Sequence, residues 1–138
     1  MTKKKDKLTK VEKVIPDAKL TNVEVQKERL SISFKYYDSS ITSLSDLQGR
    51  KELKALDDFI DKINNYDSVD TACKLVTCKK TNLDNKRWDL RKKLMNKNIS
   101  MQTDIIHLRA GKQFRVHGFF SGPRFKLVWL DPNHEIDE

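Results

Sequence analysis

Leu30, Ile32, Phe34 and Tyr36 alternate with Ser31, Ser33 and Lys35. That pattern places the apolar side chains on one side of an extended chain and predicts a half-buried strand. Val23 and Val25 alternate in the same way, so a preceding strand can pair with it across Gln26–Arg29. Asp38, Ser39 and Ser40 end the strand. The period then changes. Leu44, Leu47, Leu53, Leu56, Phe59, Ile60 and Ile63 recur mostly at helical spacing, with Asp57, Asp58, Asp61 and Lys62 on the opposite side, which predicts an amphipathic helix facing a core. Ser45 with Gln48 fits a capping box, in which two side chains satisfy each other's unpaired backbone N–H groups. Gly49 divides this stretch into two helical pieces, and Asn64-Asn65 is its stop.

Residues 66–100 carry a weaker pattern. Ser68–Val76 fits a short helix and Thr81–Asn85 a loop. Trp88, Leu90, Leu94 and Met95, set among Arg87, Arg91, Lys92 and Lys93, fit either a basic amphipathic helix or a segment that includes a strand. The last third is clearer. Ile105–Arg109, Gln113–Phe120 and Arg124–Leu130 alternate or nearly so, and the links Ala110-Gly111-Lys112 and Ser121-Gly122-Pro123 suit antiparallel neighbours. The expected fold class is therefore α+β: an antiparallel sheet with a C-terminal three-stranded meander, packed on one or two helices.

A length of 138 residues fits one domain. We expect a flexible basic arm over residues 1–20, since six of the first thirteen residues are lysine, and a single α+β domain over 21–138. No apolar run approaches the roughly 20 residues that span a bilayer, and no apolar segment follows the N-terminal lysines as in a signal peptide. A cytoplasmic protein without membrane association is expected. Cys73 and Cys78 make neither a disulfide framework nor a zinc site, and no metal or cofactor is expected.

Charge sharpens this picture. The net charge is +8, but residues 79–126 hold thirteen basic and three acidic residues, whereas residues 127–138 hold four acids and no Lys or Arg. A concentrated field of one sign favours a polyanion, RNA or DNA. Strand alternation puts Phe114, Val116 and Phe120 on one face of the meander, with Phe125, Leu127 and Trp129. The other face then gathers His107, Arg109, Arg115, His117 and Lys126, with Phe119 beside them. Such a face suits phosphates and stacked bases. Lys112, Arg124, Lys92 and Lys93 extend the candidate nucleic-acid surface. Asp131-Pro132-Asn133-His134 is a turn that sets His134 at its rim.

Arg109-Ala110-Gly111-Lys112-Gln113-Phe114-Arg115-Val116, with the closing strand and its trailing His134, resembles the RelE/ParE-like toxin superfamily. The similarity covers roughly residues 30–134 and lies mostly in the order of elements. Residues Phe125–Ile136 also resemble a pattern in small proteins of no established function. The superfamily resemblance implies a RelE-like fold and a metal-independent endoribonuclease that cuts messenger RNA on the ribosome, or a gyrase poison as in the ParE branch. It further implies an acidic antitoxin partner. On that footing His134 is the acid or base and Arg115 holds the scissile phosphate. Arg109 and Lys126 add charge, and Lys112 steers the substrate. Two other readings stay open: a nucleic-acid-binding module without catalysis, as in a mobile element, and a protein-interaction domain for an acidic partner.

Overall fold

The computed structural model describes residues 29–84 and 87–136. The expected basic arm over residues 1–20 and the Val23–Val25 strand lie outside them. The elements, in chain order, are β1 (Ser31–Ser33), a 3-10 turn (Leu44–Leu47), α1 (Lys51–Asn64), α2 (Val69–Leu75), β2 (Cys78–Lys80), α3 (Trp88–Asn96), β3 (Ile106–Arg109), β4 (Arg115–Ser121) and β5 (Arg124–Asp131). The five strands form one sheet in the order β1-β5-β4-β3-β2. The meander β3-β4-β5 is antiparallel as expected, but β1 runs parallel to β5. The sheet is therefore mixed, not antiparallel. A parallel pair needs a long crossover, and everything from the 3-10 turn to β4 lies between β1 and β5.

The early strand is shorter than its alternation suggests. Tyr37 N–H donates to Phe34 O (3.1 Å) and Asp38 N–H to Val128 O (2.9 Å), so the chain turns after Ser33. Phe34 is left 47% exposed, whereas Tyr36 packs on the side of the sheet opposite Leu30. The capping box also moves. Ser43 Oγ accepts from Asp46 N–H (3.3 Å), and Asp46 Oδ2 accepts from Ser43 N–H (2.9 Å). Gln48, expected to close a box with Ser45, has an extended backbone and ends the turn. Asp46 succeeds because its short carboxylate reaches back over one 3-10 turn. Ser43→Ala should cost about 1 kcal/mol, measurable as a lowered urea midpoint. Gly49, at φ +76°, separates the turn from α1 as expected.

Both faces of the sheet are covered. On one face Leu56, Phe59 and Ile63 of α1 and Ala72 of α2 pack with Leu108, Phe114, Val116, Phe125, Leu127 and Leu130. On the other, Leu90 and Leu94 of α3 join Ile99, Ile105, Val128, Trp129 and Ile136. Residues 88–96 are thus helical, which settles the open choice between helix and strand. α3 buries Leu90 and Leu94 while Trp88 and Met95 stay exposed.

The second core exists because β5 does not keep period two. His117 pairs with Trp129, but Gly118 pairs with Leu127, so Val128 is an extra residue on β5. Such a bulge resets the alternation. Leu127 and Leu130 serve the first core, and Val128 and Trp129 the second. The grouping of Phe125, Leu127 and Trp129 on one face is thereby corrected. Trp129 Nε1–H donates to Asp38 Oδ2 (3.1 Å) and ties the turn after β1 to this core.

Candidate functional site

The open basic face expected from alternation is mostly closed. His117 is fully buried, His107 is 5% exposed, and Phe119 lies half-buried against Tyr36 with ring centroids 5.6 Å apart. Neither His117 nor Phe119 is displayed as an open stacking surface. The physical reason is α3, which lays Leu90 and Leu94 over the middle of that face. What remains accessible is one end of it, where a cleft of about 340 Å³ is lined by Thr77, Lys79, Lys80, His107, Arg109, Arg115 and His134.

Strand register builds this cleft. Lys79 pairs with His107, His107 with His117, and His117 with Trp129, which makes one row across four strands. The next row runs Arg109, Arg115, Asp131. Side chains two residues apart share a face, so these rows lie side by side. Because of the bulge, Asp131 falls in the same layer as the histidines. The turn beyond β5 closes through His134 N–H to Asp131 O (3.3 Å), as expected for Asp-Pro-Asn-His. His134 itself takes φ +56°, a left-handed conformation. Its ring packs on His107 with centroids 5.7 Å apart, and His107 packs on His117 at 5.2 Å. All three histidines of the chain therefore converge.

Behind the rim lies a hydrogen-bonded network. His117 Nε2–H donates to Asp131 Oδ2 (3.1 Å), and His117 Nδ1 shares a hydrogen bond with the Thr81 hydroxyl (2.8 Å). That hydroxyl is also 3.4 Å from His107 Nδ1. Asp131 further accepts from Glu135 N–H (2.8 Å) and Ile136 N–H (3.0 Å). Burial alone would push the Asp131 carboxyl up. The hydrogen bonds from His117, Glu135 and Ile136, with the charge of His117, outweigh it and hold the carboxyl below its ordinary value. This network is a brace. It fixes the ring orientation of His117, against which His107 packs at a tilt and then His134 packs edge-on against His107.

The arginines form the front of the cleft. Arg109 and Arg115 face each other directly across β3 and β4, and like charges so placed repel. Partial burial, and then the neighbouring Arg109, make the charged form of Arg115 less favourable than usual, with Asp131 opposing them. The link between the strands holds both in place. Arg115 Nη1 donates to Gly111 O (3.2 Å), Lys112 O (3.3 Å) and Phe114 O (3.2 Å), and Arg109 Nε to Gly111 O (3.2 Å). Each guanidinium carries five N–H donors, and these bonds occupy one nitrogen of each.

Of the residues singled out from sequence, Arg109, Arg115, His107 and His134 come together here, with His117 behind them. Others stand elsewhere. Lys126 pairs with Phe119 beyond the bulge, and Arg124 begins β5 at the opposite end of the strands. Lys112 borders a separate hollow with Lys51 and Pro132. Lys92 and Lys93 ride on α3, where Lys93 Nζ donates to Ser40 Oγ (2.7 Å). Lys79, Lys80 and Thr81 were not singled out as site residues from the sequence. Their only signal is the Lys-Lys pair, which marks an edge strand. The Cys78 thiol is pushed up to about 12 by burial and then by its hydrogen bond with Cys73, so it stays protonated. Among the described residues, no group of three or more His, Cys, Asp or Glu is arranged to hold a metal ion, and no helix is long and apolar enough to cross a membrane. Comparison with known protein families, with curated proteins and with solved structures yields no match to this chain.

Proposed function

We propose that the cleft holds the phosphate backbone of RNA and that the protein is a metal-independent endoribonuclease, similar in action to RelE/ParE-like toxins. The observation that carries this reading is the convergence of Lys79, Lys80, Arg109 and Arg115 around His134 in one cleft. Arg109 and Arg115 oppose each other directly, with Lys79 and Lys80 lining the same cleft, and a bound anion relieves the repulsion between the two arginines. Guanidinium groups suit the paired oxygens of a phosphate. The His134 imidazole lines the cleft, where it can take or give a proton, and its edge contact with His107 positions it. In strand scission the RNA 2′-hydroxyl loses its proton and attacks the adjacent phosphorus. The bond to the 5′-oxygen breaks and that oxygen is protonated, while the arginines stabilise the charge that builds on phosphorus-bound oxygens. An element order of strand, helices and closing meander supports a RelE-like fold as part of the same proposal. The acidic antitoxin and the ribosome-bound messenger belong to it as partners.

A second reading, RNA binding without cleavage, is favoured by one specific observation. His107 and His117 are buried, which leaves His134 as the one imidazole at the rim, whereas transesterification needs both a base and an acid. The deciding experiment incubates end-labelled single-stranded RNA with the protein in excess chelator. Wild type should cut it, and His134→Ala should cut at least about 100-fold more slowly while still binding. Arg109→Ala should weaken binding and flatten its salt dependence by about one phosphate contact. RNA that is bound but uncut establishes the second reading. Absence of binding removes both.

A further inference from the structure

A second cavity of about 520 Å³ adjoins the cleft, and Lys80 lines both. Its other walls include Leu83, Arg91, Leu94, Met101 and Asp104. The cleft is reached from Lys79 on β2 and the cavity from Thr81, the residue just past the end of that strand. Two residues of strand cover about 7 Å, the scale of the step from a nucleotide's phosphate to its base. We propose that this cavity seats the base next to the phosphate in the cleft, and that the base is guanine. The proposal rests on the RNA reading above and names the nucleotide it selects.

Arg91 supplies a fixed flat wall, because its Nε (2.8 Å) and Nη2 both donate to Leu83 O. Arginine planes of this kind stack on bases. Met101, 50% exposed, offers a polarisable thioether to the ring, and Leu83 and Leu94 add apolar surface. The selective group is the carboxylate of Asp104. It pairs with Lys80 Nζ at 3.2 Å, but the two side chains are 72% and 71% exposed, so the pair costs little to part. When Lys80 turns to the phosphate, the Asp104 carboxylate is released to accept from the base. An ionised carboxylate only accepts, and it accepts best from two parallel donors. Guanine presents two adjacent N–H groups, at N1 and N2. Adenine and cytosine present one amino group beside an acceptor nitrogen, and uracil's single N–H lies between two carbonyl oxygens that repel the carboxylate.

The test measures binding of eight-nucleotide RNAs by fluorescence anisotropy. One is all uridine, and three carry a single guanosine, adenosine or cytidine. Wild type should bind the guanosine octamer about tenfold more tightly than all-uridine, the scale of one good bidentate base contact. In Asp104→Asn that ratio should fall close to one. The ratio also cancels any uniform gain from removing a negative charge. Equal binding of all four octamers by wild type overturns the base subsite and leaves the phosphate cleft standing. Preference for adenosine or cytidine, or a guanosine ratio unchanged in Asp104→Asn, overturns the assignment of guanine to Asp104. Failure to bind any octamer overturns this inference together with the reading on which it rests.

Discussion

Gly118→Ala is expected to leave little folded protein. A methyl group at position 118 would sit far inside van der Waals contact with Lys126 O, and 2.9 Å from Phe125 Cζ. The first of these neighbours is strand backbone, which cannot swing aside as a side chain does. Accommodation would require β4 and β5 to part where their ladder slips register, breaking hydrogen bonds in a buried sheet. The penalty should exceed about 4 kcal/mol, in the range reached only by severe core defects, against a total stability on the order of 5–15 kcal/mol. Insoluble expression, or urea unfolding with a midpoint moved far to the left, is the outcome expected. Gly122→Ala is the matched control. Gly122 takes φ +58° with nothing near the added methyl, so only the left-handed backbone is strained, at about 1 kcal/mol.

The interest of Gly118 lies in what the close approach makes possible. The bulge at Val128 sends Trp129 and Asp131 to the face that carries His117. With strict alternation from Leu127, Asp131 would fall on the opposite face. Asp131 would then be absent from His117, and the brace behind the cleft would not form. A glycine selected for backbone approach thus sets the composition of the candidate site several residues away.

That device also marks the boundary of what the sequence discloses. The helix over α1 was legible because Leu56, Phe59 and Ile63 keep helical spacing. The meander was legible because Gly111 and Gly122 punctuate its strands. Within Leu127-Val128-Trp129-Leu130 every residue is apolar, and period two has nothing to read. An unbroken apolar run is itself the mark of a strand buried on both faces, but the run was read by alternation, and the second core that α3 supplies was not expected. β2 was missed because Cys78–Lys80 is three residues long with two exposed lysines. The histidines at 107, 117 and 134 have no informative spacing. The first two meet by cross-strand pairing, and the third arrives through a turn that ends at positive φ. Proximity of this kind belongs to register and turn geometry, which no single stretch of chain encodes.

Asp131→Ala should cost about 3–5 kcal/mol, the usual penalty for removing one partner of a buried charged group. The carboxylate accepts from His117 Nε2–H, Glu135 N–H and Ile136 N–H. Its loss leaves these donors unmatched and frees the tail whose Ile136 fills the second core. Asp131→Asn keeps one acceptor oxygen and should cost less, about 1–3 kcal/mol. The Asn variant also isolates the charge. The folded carboxyl titrates below its ordinary value, so its contribution is fully present above the unfolded value near pH 3.9. It is lost as pH falls through the lower, folded value. The stability gap between wild type and Asp131→Asn, measured by urea unfolding, should therefore be present at about pH 5 and shrink progressively below about pH 4. A gap that stays constant into acid would show that the carboxylate contributes as a neutral acceptor. The His117–Asp131 pair would then brace the cleft by geometry alone, and His134 would owe its position to its edge contact with His107 without help from the charge behind it.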